Sequence, residues 1–380
     1  MPAYITRFGT FLPNAPVPNQ KIEQVLGVVG RASETVRDTI LERNGIKWRY
    51  YAIDPETGAQ THTNTELTVA AIQQLLDSAG MAKDEIDLIA CGTSSPDQII
   101  PGHAAMVHGL LKNAPCEVAS FAGVCCSSMN ALRYAVNSVL AGSAKRAIAT
   151  GSELASLSLH SSQYEHRTEN GVTTHAYIGF SQKFLRFMLS DGAGAALVEP
   201  APRPGNLNLR IEWLEMKSFA NELETCMYFG AVKEPDGSLK GYRSERGGIE
   251  ETIKRGYFNL SQDVKVLGEH IVKVAGRFFV DCVKRHEVDY ERVAFLLPHL
   301  SSYFFQQPIF EQMQLDGFRV PLDRWFTNLR YKGNTGSASI YIMLDELYQS
   351  GNLQPGQQVL CVVPESSRFT FACMLLTVVE

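Results

Sequence analysis

Between residues 67 and 79 the chain reads LTVAAIQQLLDSA, with apolar side chains returning every three or four positions and Gly80 following. That spacing gathers the apolar residues on one helical face, and the glycine supplies a left-handed cap, so a helix is predicted over 67–79. In the next segment, DEIDLIACGTSS (84–95), a short apolar run gives way to small polar residues, the pattern of a buried strand that ends in a loop. The same succession returns in GRFFVDCVKRHEV (276–288) followed by DYERVAFLLPHLSS (289–302). Two further pairs agree: AKRAIATGSE (144–153) with QQVLCVVPES (357–366), and GAGAALVEP (192–200) with FACMLLTVV (371–379). A duplicated α/β chain accounts for all of them. It divides into an N-terminal half over 1–204 and a C-terminal half over 205–380, with the Pro/Gly-containing PAPRPGN (200–206) as the connection.

Two long segments fit neither half. Residues 155–186 carry His160, Tyr164, His166, His175 and Tyr177, and residues 217–258 are polar and charged with several glycines. Loops of that length inside a compact domain are functional covers or carry local structure of their own.

Composition narrows the classes of function. A formal net charge of -5, with acids and bases mixed along the chain, offers no basic face for nucleic acid. No uninterrupted run of 18 apolar residues occurs, so no membrane span is expected, and MPAYITRFGTFLPNAP lacks the cationic lead and apolar run of a signal peptide. The expectation is a cytoplasmic protein. Eight cysteines stand at 91, 116, 125, 126, 226, 282, 361 and 373, without a CxxC pair or a zinc-like histidine spacing, so no metal site is expected. Most of them should be small buried apolar residues.

One cysteine has different surroundings. In ASFAGVCCSSMNALRYAVNSVLAG (119–142), Met129, Leu132, Ala135, Val136 and Val139 recur at helical spacing just after Cys125 and Cys126. A cysteine at a helix N-terminus has free amides and the positive end of the helix dipole beside it, which favour the nucleophilic thiolate. On this stretch alone, two packed small residues at a strand–helix turn explain the pattern equally well.

The order of several motifs decides between these readings. Cys125 with Ala131-Leu132 six and seven residues on, the strand Ala147 to Glu153, and Ser190-Asp191-Gly192-Ala193-Gly194-Ala195 lie in the first half, after Arg43-Asn44-Gly45-Ile46. Pro298-His299 ends an apolar strand in the second half, and Gly333-Asn334-Thr335-Gly336-Ser337-Ala338-Ser339 follows. Together these resemble the ketoacyl-ACP synthase III branch of the thiolase superfamily over nearly the whole chain. The resemblance implies a thiolase-like five-layered α/β/α/β/α fold of two pseudo-symmetric halves, assembled as a homodimer in which residues around Ile100 reach the neighbour's acyl pocket. It also implies a chemistry. Cys125 takes an acyl group as a thioester, and His299 and Asn334 hydrogen-bond the extender's thioester carbonyl while a carbon nucleophile forms. Backbone amides of Cys125 and Ser367 make an oxyanion hole, and a His299 imidazolium would help hold the thiolate. The substrates implied are phosphopantetheine thioesters of acyl carrier protein or coenzyme A, with no permanently bound cofactor. Arg43 and Lys265 are the implied contacts to the carrier protein or its phosphopantetheine arm.

The chain departs from that family in three places. Pro364-Glu365-Ser366-Ser367-Arg368-Phe369-Thr370-Phe371 replaces a glycine-rich motif, Leu300-Ser301-Ser302 follows the histidine, and Thr39 stands where an aromatic residue commonly stacks on coenzyme A. These changes resemble specialised ketosynthases that join two acyl chains and close a dialkylresorcinol or cyclohexanedione ring. Such a reaction needs a second base, for which Glu153 and Glu365 are the candidates. Two other readings stay open. Acyl transfer without condensation makes no use of the Gly333-Asn334-Thr335 motif, and a non-catalytic partner subunit would not need Cys125.

Overall fold

The computed structural model describes residues 2–29, 34–167, 173–175 and 180–380. Tyr177 and the side chains of His166 and His175 lie outside the described part. Nine strands carry the fold: β1 Tyr4–Phe11, β2 Leu88–Thr93, β3 Glu117–Ala122, β4 Ala147–Glu153, β5 Gly192–Glu199, β6 Asn208–Ser218, β7 Val293–Pro298, β8 Gln358–Pro364 and β9 Thr370–Val379. They are hydrogen-bonded in the order β7-β8-β9-β6-β1-β5-β4-β2-β3. Nine helices matter for the site: α1 Glu34–Asn44, α2 Asn64–Ala79, α3 His103–Leu111, α4 Ser127–Leu140, α5 Phe180–Arg186, α6 Val264–Arg285, α7 Gln306–Leu315, α8 Leu329–Lys332 and α9 Ser339–Gln349.

The strand order contains the repeat read from the hydrophobic pattern. In the first half β3, β2 and β4 run parallel, and β5 and β1 follow antiparallel. In the second half β7 and β8 run parallel and β9 and β6 follow antiparallel, while a single parallel bridge from Leu296 to Trp325 stands where β3 stands in the first. The two sets of strands pair with each other at Tyr4↔Arg210 and Ile5↔Leu209.

Side-chain alternation along the strands then builds the layers. In β4, Ala147 and Ala149 face one core while Ile148 faces another; in β8, Val359, Cys361 and Val363 face the first core while Leu360 and Val362 face a third. The shared core holds Met129 and Leu132 of α4 and Tyr341 and Leu344 of α9, so these two helices lie between the two sheet halves. Outside, Leu67, Ile72 and Leu75 of α2 and Val107 of α3 cover the first half. Ile271, Phe278 and Phe279 of α6 and Ile309 and Met313 of α7 cover the second. Helix, sheet, helix, sheet, helix is the five-layered α/β arrangement expected.

Local signals set the element ends. Thr63 and Glu66 form a reciprocal capping box at the start of α2, and Gly80 ends it in the left-handed region at φ 57°. Asp263 accepts from the Lys265 and Val266 amides and starts α6, twelve residues before the helical stretch read from the sequence. The 217–258 segment carries local structure, with short strands at Met227–Tyr228, Ala231–Lys233 and Leu239–Gly241 and a helix at Gly248–Lys254.

Candidate active site

The carboxyl ends of β3, β4, β7 and β8 bring the site together, as such ends do in open α/β sheets. Cys125 lies in the turn from β3 into α4, and His299 directly follows β7. Asn334 sits between α8 and α9, held from both sides by backbone bonds: its amide donates to the Met188 carbonyl at 3.1 Å and its carbonyl accepts from Ser190 at 2.9 Å. Residues distant in sequence thus line one cavity of about 40 Å³, which Cys125, His299 and Asn334 share. Its other walls are mostly apolar, from Met188 and Leu189, Leu267 and Ile271 of α6, and Phe305 and Ile309.

Each of the three has a defined polar state. Asn334 Oδ1 accepts from the Gly336 amide at 3.0 Å, which orients the carboxamide and leaves its NH2 group for the cavity. Gly336 is required there: at φ +53° a side chain is strained, and a Cβ would meet Glu153 Cγ at 2.8 Å. His299 is buried, and its Nε2 has no partner among the described residues. A buried polar atom left unpaired costs about 1–3 kcal/mol, and a site that binds a substrate there recovers that cost. Burial alone pushes the imidazole down to about 4, so His299 is neutral near pH 7. The imidazolium partner expected for the thiolate is therefore absent, because desolvation of the ring outweighs any attraction to Cys125.

The nucleophile helix differs from expectation in the same direction. Cys125 is pushed well up, first by burial and then by the Glu365 and Glu153 carboxylates. The helix amides are also less available than its N-terminal position implies. Cys126 N–H donates to Glu365 Oε2 at 3.0 Å, and Ser127 N–H donates to the Val124 carbonyl at 3.1 Å. Cys126 itself is fully buried, its thiol donating to the Val363 and Thr370 carbonyls at 3.2 and 3.4 Å, and it does not line the cavity. The two adjacent cysteines are thereby separated into one facing the cavity and one packed into the core.

Both candidate second bases are buried beside the site without lining the cavity. Glu153 accepts from Ser94 Oγ at 2.6 Å and Ser95 Oγ at 2.8 Å; burial raises it to about 7 against the pull of these donors and Ser337. Glu365 is raised by burial against bonds from Ser367 and Cys126, and its carboxylate is aimed at the start of α4. A charge there opposes a thiolate at Cys125. Glu365→Gln keeps an acceptor for the Cys126 amide and removes that charge, so the midpoint pH for alkylation of Cys125 by iodoacetamide is expected to fall. An unchanged midpoint would mean that burial alone controls the thiol.

The remaining sequence-derived residues are more scattered. Ser366 and Pro364, rather than Ser367, line the cavity; the Ser367 carbonyl accepts from the Cys226 and Met227 amides. Ile100 is 80% exposed on the surface of its own chain, away from the cavity lining. Arg43 is exposed at the end of α1, and Lys265 is exposed in the first turn of α6 with Glu269 at 4.0 Å. Ser302, in the segment that departs from the family, accepts from the Phe304 amide at 3.2 Å and caps a short turn. Sequence reasoning missed Gln262. It lies between Met227, its strand partner, and the Asp263 cap, and it lines the same cavity. Nothing in its sequence context distinguishes it from a polar loop residue.

Comparison with known proteins agrees with the geometry. Residues 52–184 match the thiolase N-terminal domain, and residues 283–378 match the 3-oxoacyl-[acyl-carrier-protein] synthase III C-terminal domain. The chain is 24% identical over 352 residues to the beta-ketoacyl-[acyl-carrier-protein] synthase III of Xanthomonas axonopodis pv. citri, covering 93% of this chain and 91% of that protein. Its fold matches the tetronic acid condensing enzyme AbyA1 with a TM-score of 0.76 at 19% identity, over 99% of both chains. It also matches Xanthomonas campestris OleA, crystallised with cerulenin, with a TM-score of 0.70 at 16% identity, over 99% of this chain and 97% of that one.

Proposed function

Since the chain belongs to the ketoacyl-ACP synthase III-like branch of the thiolase superfamily, we propose that it forms a carbon–carbon bond between an acyl group carried on Cys125 and a malonyl or β-ketoacyl thioester on acyl carrier protein. In the loading step the Cys125 thiolate attacks the donor thioester carbonyl, and the phosphopantetheine sulfur departs as a thiolate that takes up a proton. In the second step a malonyl extender loses carbon dioxide, and the electron pair of the broken bond becomes an enolate. Its oxygen accepts hydrogen bonds from His299 Nε2–H and the Asn334 carboxamide. The enolate carbon attacks the Cys125 thioester, and the cysteine leaves as thiolate.

The observation that carries this reading is the pairing of two prepared donors with one cysteine in a single cavity. His299 Nε2 has no partner among the described residues, and Asn334 is oriented by Gly336. A neutral imidazole suits the donor role, since it holds a proton without needing to titrate. The test is product analysis after supplying an acyl thioester and malonyl-ACP. A β-ketoacyl product with one carbon dioxide released per turnover supports condensation. Acyl ester or amide formation without carbon dioxide release would favour simple acyl transfer. A β-ketoacyl extender tests the ring-forming alternative, which requires a cyclic product.

Carrier protein as partner is supported by charge. Arg43, Lys47, Arg330 and Lys332 have no carboxylate within ion-pair distance among the described residues, and the Lys47 amide donates to the Arg330 carbonyl at 2.8 Å, which joins their elements. Arg43 and Lys265 are our assigned contacts for the carrier or its phosphopantetheine arm. Eight free cysteines fit a reducing cytoplasm, and among the described residues no helix is long and apolar enough to cross a membrane.

A homodimer is supported by the open edge of β3, the last strand of the sheet, where Val118 is exposed, and by the exposed Ile99 and Ile100 nearby in sequence. Light scattering at micromolar concentration is expected to give the mass of two chains, and Ile100→Asp is expected to shift it toward one. A monodisperse monomer in the unaltered protein would contradict the assignment.

A further inference from the structure

Two residues lining the cavity carry a buried polar atom with no partner among the described residues. One is His299, whose Nε2 the proposed condensation uses. The other is Gln262, whose Oε1 has no part in that reaction. Gln262 is 5% exposed, so its amide is shielded from bulk solvent. Its orientation is fixed, because Nε2 donates to Ser366 Oγ at 3.1 Å, and Ser366 lines the same cavity. The strand pairing of Gln262 with Met227 and the Asp263 cap that follows hold its backbone on both sides. The result is an oriented acceptor among apolar walls that include Met227, Leu267 and Ile271.

An apolar acyl chain satisfies those walls and leaves the Gln262 oxygen unpaired. A chain with one hydroxyl satisfies both, since the O–H donates to Oε1 and the carbon skeleton keeps its contacts. We propose that Gln262 is a specificity-determining residue that selects a hydroxyacyl group for loading onto Cys125. This inference rests on the reading of Cys125 as acyl carrier. It adds the substrate class, and it places upstream a reaction that delivers a hydroxyacyl thioester.

The test compares loading of Cys125 by butanoyl-, 2-hydroxybutanoyl- and 3-hydroxybutanoyl-pantetheine, read as the ratio of kcat/KM values for acylation by intact-protein mass spectrometry. The unaltered enzyme is expected to prefer one hydroxyacyl donor over butanoyl by about tenfold or more, because a buried acceptor penalises the analogue that cannot pair with it. Gln262→Met keeps the volume and removes the acceptor, so the ratio should fall to about one through slower hydroxyacyl loading. Gln262→Glu keeps an acceptor and should retain the preference. Should Gln262→Met fold poorly, Ser366→Ala frees the amide to rotate and should lower the same ratio. A ratio near one in the unaltered enzyme overturns the inference. So does an equal loss for all three donors in Gln262→Met, which would assign Gln262 to the pantetheine arm common to them. Loading without discrimination removes only this inference, whereas absence of loading from every donor removes the proposed function and this inference with it.

Discussion

Cys125→Ser is expected to abolish acyl loading, with acylation falling by at least about 10³-fold, because a hydroxyl at this position has no base beside it to make it a nucleophile. His299 is neutral but is assigned to the extender's carbonyl, and Glu365 is bonded to the Cys126 amide and Ser367. Cys126→Ala should load within a few-fold of the unaltered enzyme, since its thiol points at the Val363 and Thr370 carbonyls and away from the cavity. Its cost should appear in stability instead, about 1–2 kcal/mol in a denaturant titration, from lost packing and two unmade bonds. Peptide mapping of the acyl adduct decides the matter. An adduct on Cys126 would shift the assignment by one residue.

The second large effect separates loading from condensation. Asn334→Ala should load acyl groups at close to the normal rate and condense them about 100- to 1000-fold more slowly, the loss typical of one oxyanion donor. His299→Ala should behave the same way. Its imidazole is neutral, pushed down to about 4 by burial, so its removal takes no positive charge from the cysteine. Single-turnover acylation beside steady-state product formation measures both steps. Normal condensation in Asn334→Ala would leave the enolate-stabilising role without support, and slow loading in His299→Ala would show that the imidazole takes part in activating the thiol.

Much of the fold was legible because the signals were local. Leu67 to Ala79 with Gly80 gave a helix, and the paired apolar runs gave strands whose order repeats across the two halves. The five layers were implied by the family resemblance, and the side-chain alternation of β4 and β8 between separate cores shows them in the structure. The motif spacing around Cys125, His299 and Asn334 was readable because each sits at the end of a regular element, and the fold brings those ends to one cavity. The electrostatics were not readable. Whether a carboxylate opposes or assists Cys125 depends on where Glu365 and Glu153 end up and how deeply they are buried, and neither is a property of neighbouring letters. The same holds for His299, whose protonation follows from desolvation. Gln262 was invisible for a related reason: its importance lies in an oxygen left unpaired by a tertiary environment.

The most direct measurement is a pulse and chase on the unaltered enzyme. An acyl-pantetheine pulse followed by peptide mass spectrometry should place one acyl group on the Cys125 peptide, and a chase with malonyl-ACP should remove it as a carbon–carbon bonded product in equal amount. An adduct that is absent, that lies on another residue, or that leaves only as free acid would contradict the account.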